Sequence, residues 1–154
     1  MMVLLFAAML SPVSRGWADE NAEFDRIGGG TESLLDYRGQ TVVLNVWAIW
    51  CAPCIGEIPE LVELQRRIAP RNATVVGLAV DSGAESQVLS FWRRRLELEP
   101  SYPLWLGSME QAKEHFGAIT VPLTLLIDRQ GTVRERLLGA HDAETLLEKL
   151  EPLL

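Results

Sequence analysis

The feature that most constrains the fold is a buried-strand pattern that runs into two cysteines and then into a helical pattern. Residues 41–48, TVVLNVWA, are almost continuously apolar, as in a strand covered on both faces. Over residues 53–68 apolar side chains recur every three or four positions, which predicts an amphipathic helix. A second apolar run follows at residues 73–80. This order predicts a right-handed parallel βαβ unit.

The rest of the chain adds helices and a hairpin to that unit. The predicted elements are helices over residues 84–98, 108–117 and 142–154, a short extended piece over 102–107, and antiparallel strands over 123–128 and 132–138. Residues 19–33 are polar and rich in glycine, and they are interpreted as a lead-in loop. The expected fold class is α/β, with a central mixed β-sheet flanked by helices.

Length and charge limit the possible functions. A chain of 154 residues has the length of one domain. Its net charge of −7 argues against a nucleic acid partner, because phosphates require a basic surface. The one basic cluster, Arg93-Arg94-Arg95, has Glu97 and Glu99 close behind it and is interpreted as a solvated helix face.

The first residues resemble an export signal. Residues 1–10 are wholly apolar, and Gly16-Trp17-Ala18 follows with the small-x-small pattern of a cleavage site. No basic residue precedes the apolar run, and ten residues are too few for the roughly 20 that span a bilayer. Residues 1–18 are therefore predicted to be a signal peptide or the remnant of an N-terminal anchor, which leaves a membrane tether open. The alternative is a frayed or buried N-terminal segment. Residues 19–154 are predicted to form the single domain.

The two cysteines, Cys51 and Cys54, allow three interpretations: a structural disulfide, half of a metal site, or a redox pair. A zinc site needs two further ligands, but the only histidines, His115 and His141, lie far apart in sequence. Covalent haem attachment needs a histidine where Ile55 stands. A structural disulfide across two residues would restrain little of the unfolded chain. The redox interpretation is therefore favoured.

The redox interpretation has a physical basis in the predicted helix. Cys51 falls at its start, where unpaired N–H groups and the helix dipole favour a thiolate, the nucleophilic form of cysteine. Cys51 would attack a substrate disulfide to give a mixed disulfide, and Cys54, one turn on and more buried, would resolve it. A Cys-x-x-Cys motif beside a βαβ pattern is a strong signal for this chemistry.

The motif WCAPC after VVLNVWAI resembles the thioredoxin superfamily, which implies a thioredoxin-like fold for residues 19–154. The dipeptide Val121-Pro122, directly before a predicted strand, matches the superfamily's cis proline. The resemblance implies that Pro122 packs against the cysteine pair and that the Val121 backbone pairs with a substrate strand. The alternative is an ordinary proline at the start of a strand.

Within the superfamily, the chain is most similar to the exported TlpA/ResA/CcmG branch, from about residue 34 to 150. The supporting stretches are LNVWAIWCAPCIGEIPEL, VVGLAVD and VPLTLLIDRQGTV. Cytoplasmic thioredoxins have a buried aspartate where Asn45 stands, whereas this branch tends to have a glutamate at the position of Glu57. Glu57 could therefore exchange a proton with Cys54. Alternatively, it is an acid that favours the helix dipole.

Aromatic and proline residues complete the predicted site. Trp47 is expected in the core, and the resemblance favours Trp50 as a platform beside the reactive thiol. Together with Pro53, Val121 and Pro122, Trp50 is predicted to bind substrate, while Cys51, Cys54 and Glu57 are predicted to be catalytic. Glu60 and Glu63 are interpreted as a solvated helix face.

The resemblance implies a periplasmic or extracytoplasmic thiol–disulfide oxidoreductase that reduces protein disulfides, for example in cytochrome c maturation. Its electrons would come from a membrane protein of the DsbD or CcdA type, and no cofactor or resident metal is expected. An exported copper metallochaperone on the same fold is the alternative, although such proteins usually have a three-residue spacer. A peroxidase is disfavoured because we find no peroxide-reactive cysteine ahead of a threonine-rich motif.

Overall fold

The computed structural model describes residues 18–81 and 83–154, so the predicted leader lies outside it except for Ala18. The strands are β1 (Phe24–Arg26), β2 (Thr31–Glu32), β3 (Thr41–Trp47), β4 (Ala73–Ala79), β5 (Leu104–Leu106), β6 (Leu123–Ile127) and β7 (Val133–Leu138). The α-helices are α1 (Ala52–Ile68), α2 (Glu85–Phe91), α3 (Met109–Phe116) and α4 (Ala143–Leu150). Within the described residues, no helix has the length and apolar character needed to cross a membrane.

The strands form one mixed sheet in the order β2-β1-β5-β4-β3-β6-β7. Strands β3, β4 and β5 are parallel, as the βαβ pattern predicted for β3 and β4, and β6 runs antiparallel to β3. Every residue of β3, β4 and β6 is buried, which explains their continuous apolar sequences. Strand β7 pairs antiparallel with β6, so the predicted hairpin is confirmed.

Helices cover both faces of this sheet. Asn45 and Trp47 lie two residues apart on β3, so their side chains point to the same face of the sheet. On this face the Asn45 amide bonds to Glu57 of α1, and Trp47 packs against Phe91 of α2. Helix α4 packs against α1 on the same face. On the opposite face, Phe116 of α3 stacks on Phe24, which also stacks on Trp105. The predicted mixed sheet flanked by helices is confirmed.

The interpretation of residues 19–33 as a loop is wrong, because they contain the β1–β2 hairpin that extends the sheet beside β5. Strand β1 has three residues and β2 has two, which is too short for a periodic pattern to show in the sequence. Tertiary contacts hold the hairpin in place. Phe24 is buried, and the Glu32 carboxylate accepts hydrogen bonds from Tyr37 and from the Trp105 indole.

The helix predicted over residues 84–98 is shorter and less regular. Helix α2 continues as a π-helical turn over Trp92–Leu96, and Glu97 ends it in the left-handed conformation, with φ of 56°. Trp92 is fully buried against Trp47 and Tyr102, while Arg93-Arg94-Arg95 is exposed as predicted. Ser108 and Gly117 are the capping residues of α3, and Asp142 is the N-cap residue of α4.

Candidate active site

The cysteine pair lies where β3 ends and α1 begins. Cys51 is the N-cap residue of α1, and its sulfur accepts the backbone N–H of Cys54 at 3.3 Å. The two sulfurs form a disulfide, with Cα atoms 5.3 Å apart. Cys51 is 6% exposed and Cys54 is 1% exposed, so Cys54 is the more buried of the two residues, as predicted. The helix terminus also supplies the N–H groups and dipole that favour a thiolate at Cys51.

The loop before β6 reaches the same edge of the sheet as the cysteines. Val46 near the end of β3 pairs with Leu123 at the start of β6, because these strands are antiparallel. The Val121–Pro122 peptide bond, immediately before Leu123, is cis, as the resemblance implied. Pro122 is buried and its carbonyl accepts the Gly139 N–H at 3.0 Å.

Exposed apolar side chains lie around this edge. Trp50 is 65% exposed, Pro53 is also exposed in the first turn of α1, and Val121 is half-buried. Leu138, which no pattern in the sequence singled out, is also exposed and pairs with Leu123 where β7 ends. Trp47, in contrast, is buried in the core as predicted.

A buried carboxylate lies one helical turn beyond Cys54. Glu57 is 1% exposed; its Oε2 accepts the Asn45 amide at 3.0 Å, and its Oε1 accepts the backbone N–H of His141 at 3.0 Å. The Asn45 amide also donates to Thr124 Oγ1 at 3.0 Å. Burial raises the pKa of Glu57, although the two hydrogen bonds and the charge of His141 oppose this shift. The carboxyl group can therefore hold a proton at a higher pH than an exposed glutamate.

The interpretation of Glu60 as part of a solvated face is wrong. Glu60 is only half-exposed, and its carboxylate accepts the Ala143 N–H, at the first residue of α4, at 2.9 Å. Glu63 has a 45% exposed side chain and pairs with Arg66 on the surface. The difference follows from α4, which packs against α1 and brings its unpaired N–H groups to Glu60.

Asp81 also lies at this edge of the sheet, and sequence reasoning did not identify it as a candidate for the site. Its two carboxylate oxygens lie 3.0 and 3.2 Å from the Ile49 nitrogen, so Asp81 holds the loop that leads to Cys51. Burial raises the pKa of Asp81, and the bond from Ile49 opposes that shift. A signal was present in the sequence: Asp81 closely follows β4, which was predicted to run parallel to β3 and so to end at the same edge.

Metal ligands do not converge on this site in the described part of the chain. Residues 18–81 and 83–154 bring together no group of three or more His, Cys, Asp or Glu side chains that could hold a metal ion. The copper-chaperone alternative therefore gains no support from the arrangement of these residues.

A thioredoxin-like fold with a Cys-x-x-Cys disulfide at the start of α1 is the arrangement of a thiol–disulfide oxidoreductase, and comparisons with known proteins agree. The chain is 30% identical over 125 residues to the thiol-disulfide oxidoreductase ResA of Geobacillus thermodenitrificans (strain NG80-2), covering 81% of this chain and 70% of ResA. It is 31% identical over 127 residues to ResA of Geobacillus kaustophilus (strain HTA426), covering 80% and 71%.

A solved structure supports the same assignment. A DsbF homologue from Corynebacterium diphtheriae superposes with a TM-score of 0.72 at 26% identity, covering 86% of this chain and 83% of that one. Residues 18–136 match the AhpC/TSA family. The chain belongs to this thioredoxin-like family and is a thiol–disulfide oxidoreductase of the ResA/DsbE type.

Proposed function

We propose that this oxidoreductase is an extracytoplasmic reductase of protein disulfides, with Cys51, Cys54 and Glu57 as its catalytic residues. The observation that carries the catalytic part is the Glu57 carboxyl group, buried one turn beyond Cys54 and held by two neutral donors. Trp50, Pro53, Val121 and Pro122 are proposed to bind the substrate segment.

The first step is an attack by Cys51. Its thiolate attacks one sulfur of the substrate disulfide, the substrate S–S bond breaks, and the first substrate thiolate leaves. The product is a mixed disulfide between Cys51 and the substrate. The N–H of Cys54 stabilises negative charge on the Cys51 sulfur before the attack.

The second step needs a proton acceptor, because Cys54 is buried as a thiol. We assign this role to Glu57, whose raised pKa suits proton exchange closer to neutral pH than that of an exposed carboxyl group. The Cys54 thiolate attacks the Cys51 sulfur, and the second substrate thiolate leaves. Two electrons pass to the substrate, and the Cys51–Cys54 disulfide forms.

A redox titration of the purified protein tests the direction. Reduction potentials of related Cys-x-x-Cys proteins range from about −270 mV for thioredoxin to about −120 mV for a strong oxidant. We expect a value near the thioredoxin end, as for a reductase. A value near the oxidising end would overturn the proposed direction without affecting the assignment of the cysteines.

The extracytoplasmic location rests on the pattern of residues 1–18 and on the resemblance to an exported branch. Fusion of residues 1–30 to alkaline phosphatase tests it, because that enzyme needs disulfides that form outside the cytoplasm. We expect an active fusion, and an inactive control that lacks residues 1–18. Equal inactivity of both fusions would contradict export.

An exported reductase needs a supply of electrons, since its compartment is oxidising. We propose a membrane donor of the DsbD or CcdA type, and cytochrome c precursors or related protein disulfides as substrates. A Cys54→Ser variant should trap these partners as mixed disulfides on Cys51. Recovery of no protein with a redox-active cysteine pair would argue against such a donor.

A further inference from the structure

A short connection between β7 and α4 touches both halves of the site. The His141 N–H donates to Glu57 Oε1 at 3.0 Å, and two residues earlier the Gly139 N–H donates to the Pro122 carbonyl at 3.0 Å. Residues 139–142 therefore lie against the helix that carries Cys54 and against the cis-proline loop. The proposed exchange steps do not use the His141 side chain.

The His141 ring is fixed by a bond within this connection. Its Nδ1 lies 2.9 Å from the Gly139 carbonyl oxygen. Because a carbonyl can only accept a hydrogen bond, Nδ1 carries the hydrogen in this contact. Gly139 itself has φ of 83°, a conformation that favours glycine, so the turn depends on both residues.

Most of the groups that face Glu57 within residues 18–81 and 83–154 do not change charge near neutral pH. Asn45 from β3 and Thr124 behind it do not titrate. Burial raises the pKa of Tyr102, and the Glu57 charge raises it further, so Tyr102 stays neutral. On α1 itself, Glu60 is bound to the Ala143 N–H, and Cys54 is the proposed proton donor.

The charge of His141 lowers the pKa of the Glu57 carboxyl group. Histidine is the residue type that most often changes charge between about pH 5 and 8. The neighbouring Asp142 also faces this charge: the backbone bond from Thr145 lowers the pKa of Asp142 most, and His141 adds to the shift.

We propose that His141 is a positioning residue for the resolving step: its ring fixes the turn that brings its N–H to Glu57, and its positive charge favours the Glu57 carboxylate. This proposal rests on the role of Glu57 as the proton acceptor for Cys54. The charge of His141 would favour the ionised form of Glu57, which is the form that takes the proton from Cys54.

Two substitutions separate the ring's bond from its charge. In His141→Asn the amide nitrogen can replace Nδ1 as the donor to Gly139, but the positive charge is gone; His141→Ala removes both. The matched control is His115→Asn, since His115 is the other of the two histidines in the chain. His115 lies on α3, across the sheet from Glu57, and its ring pairs with Asp19. The Glu57 carboxyl carbon is titrated by NMR in the reduced full chain, with Glu57→Gln identifying its signal.

We expect the midpoint of the Glu57 titration to move to higher pH in His141→Asn and to stay unchanged in His115→Asn. The rate of mixed-disulfide resolution in a single turnover should fall at acidic pH as Glu57 becomes protonated, and this part of the pH profile should move with the Glu57 midpoint. At a pH below both midpoints, the rate falls about tenfold if the midpoint rises by about one on the pH scale. An unchanged Glu57 midpoint in His141→Asn overturns the proposal, even if His141→Ala does not fold. A moved midpoint with an unmoved rate profile also overturns it.

The two proposals fail in different ways. If Glu57→Gln resolves mixed disulfides as fast as the natural protein, the assignment of Glu57 as proton acceptor is wrong. The NMR midpoint still reports on the coupling between His141 and Glu57 in that case, since it does not depend on turnover.

Discussion

Two glutamates of this protein, Glu57 and Glu32, are held by hydrogen bonds in different parts of the sheet. Glu57 is almost fully buried and accepts bonds from Asn45 and from the His141 backbone, both neutral donors. Glu32, at the β1–β2 hairpin, has a side chain that is 22% exposed; it pairs with Arg26 at 2.9 Å and accepts bonds from the Tyr37 hydroxyl and the Trp105 indole.

The surroundings of the two carboxylates indicate which one is suited to chemistry. Glu32 has a cation in contact, so its negative charge is compensated and it holds the hairpin to the core. The donors of Glu57 are neutral, and burial therefore raises its pKa. We infer that Glu32 stabilises the fold and that Glu57 acts in proton transfer.

The largest expected effect is on the cysteines. Cys51→Ser should reduce turnover of a protein disulfide to the uncatalysed level, because the hydroxyl is not a nucleophilic thiolate. Insulin reduction measures it, and circular dichroism checks that the variant is folded. Catalysis that persists in a folded Cys51→Ser variant would show that the active site does not lie at Cys51.

Glu57→Gln should slow the resolution of the mixed disulfide on the order of a hundredfold, within the range of general acid–base catalysis. Stopped-flow measurement with a labelled peptide disulfide tests it. Asp25→Asn, an exposed acid on β1, is a matched control that should leave this rate unchanged. An unaltered rate in Glu57→Gln would place Glu57 with Glu32 as a structural residue.

Glu57→Gln should also change how the free energy of unfolding depends on pH. A carboxyl group with a raised pKa in the folded state stabilises the fold when protonated, and that contribution is lost as pH rises through its folded pKa. An ordinary carboxyl group titrates at about pH 4. From that pH up to neutral pH, urea unfolding should therefore show that the free energy of unfolding of Glu57→Gln rises relative to that of the natural protein. A constant difference across this range would contradict the raised pKa.

Glu32→Gln should destabilise the fold by about 1–3 kcal/mol, the usual cost of leaving buried partners unsatisfied. The rates of attack and resolution should remain those of the natural protein, because the hairpin lies away from the cysteines. Thermal unfolding and the same stopped-flow assay measure both quantities. A slowed exchange in a folded Glu32→Gln variant would show that the two regions are coupled.

The smallest expected effect is that of Trp50→Ala. Trp50 is 65% exposed, so its removal should hardly change the free energy of unfolding. We expect KM to rise a few-fold for a protein disulfide and to stay unchanged for a small disulfide such as oxidised glutathione. Equal effects on both substrates would indicate that Trp50 acts on the thiol and not on the bound segment.

Long elements were predictable because each carries its own pattern. The buried strands β3, β4 and β6 are continuously apolar, and α1 repeats its apolar residues at helical spacing, so their bounds agree closely with the expectation. The β1–β2 hairpin was missed because its pairing depends on β5 and on the Glu32 bonds. The same holds for the π-helical turn, where Trp92 packs into the core.

Local sequence determined the reactive centre itself. Cys51 caps α1 shortly after β3 ends, Pro53 suits the first helical turn, and Cys54 follows one turn on. Only the tertiary structure decided what surrounds it. The bond from His141 to Glu57 spans 84 positions and that from Ile49 to Asp81 spans 32. A carboxylate's burial and partners depend on how distant elements pack, and no spacing along the chain encodes that.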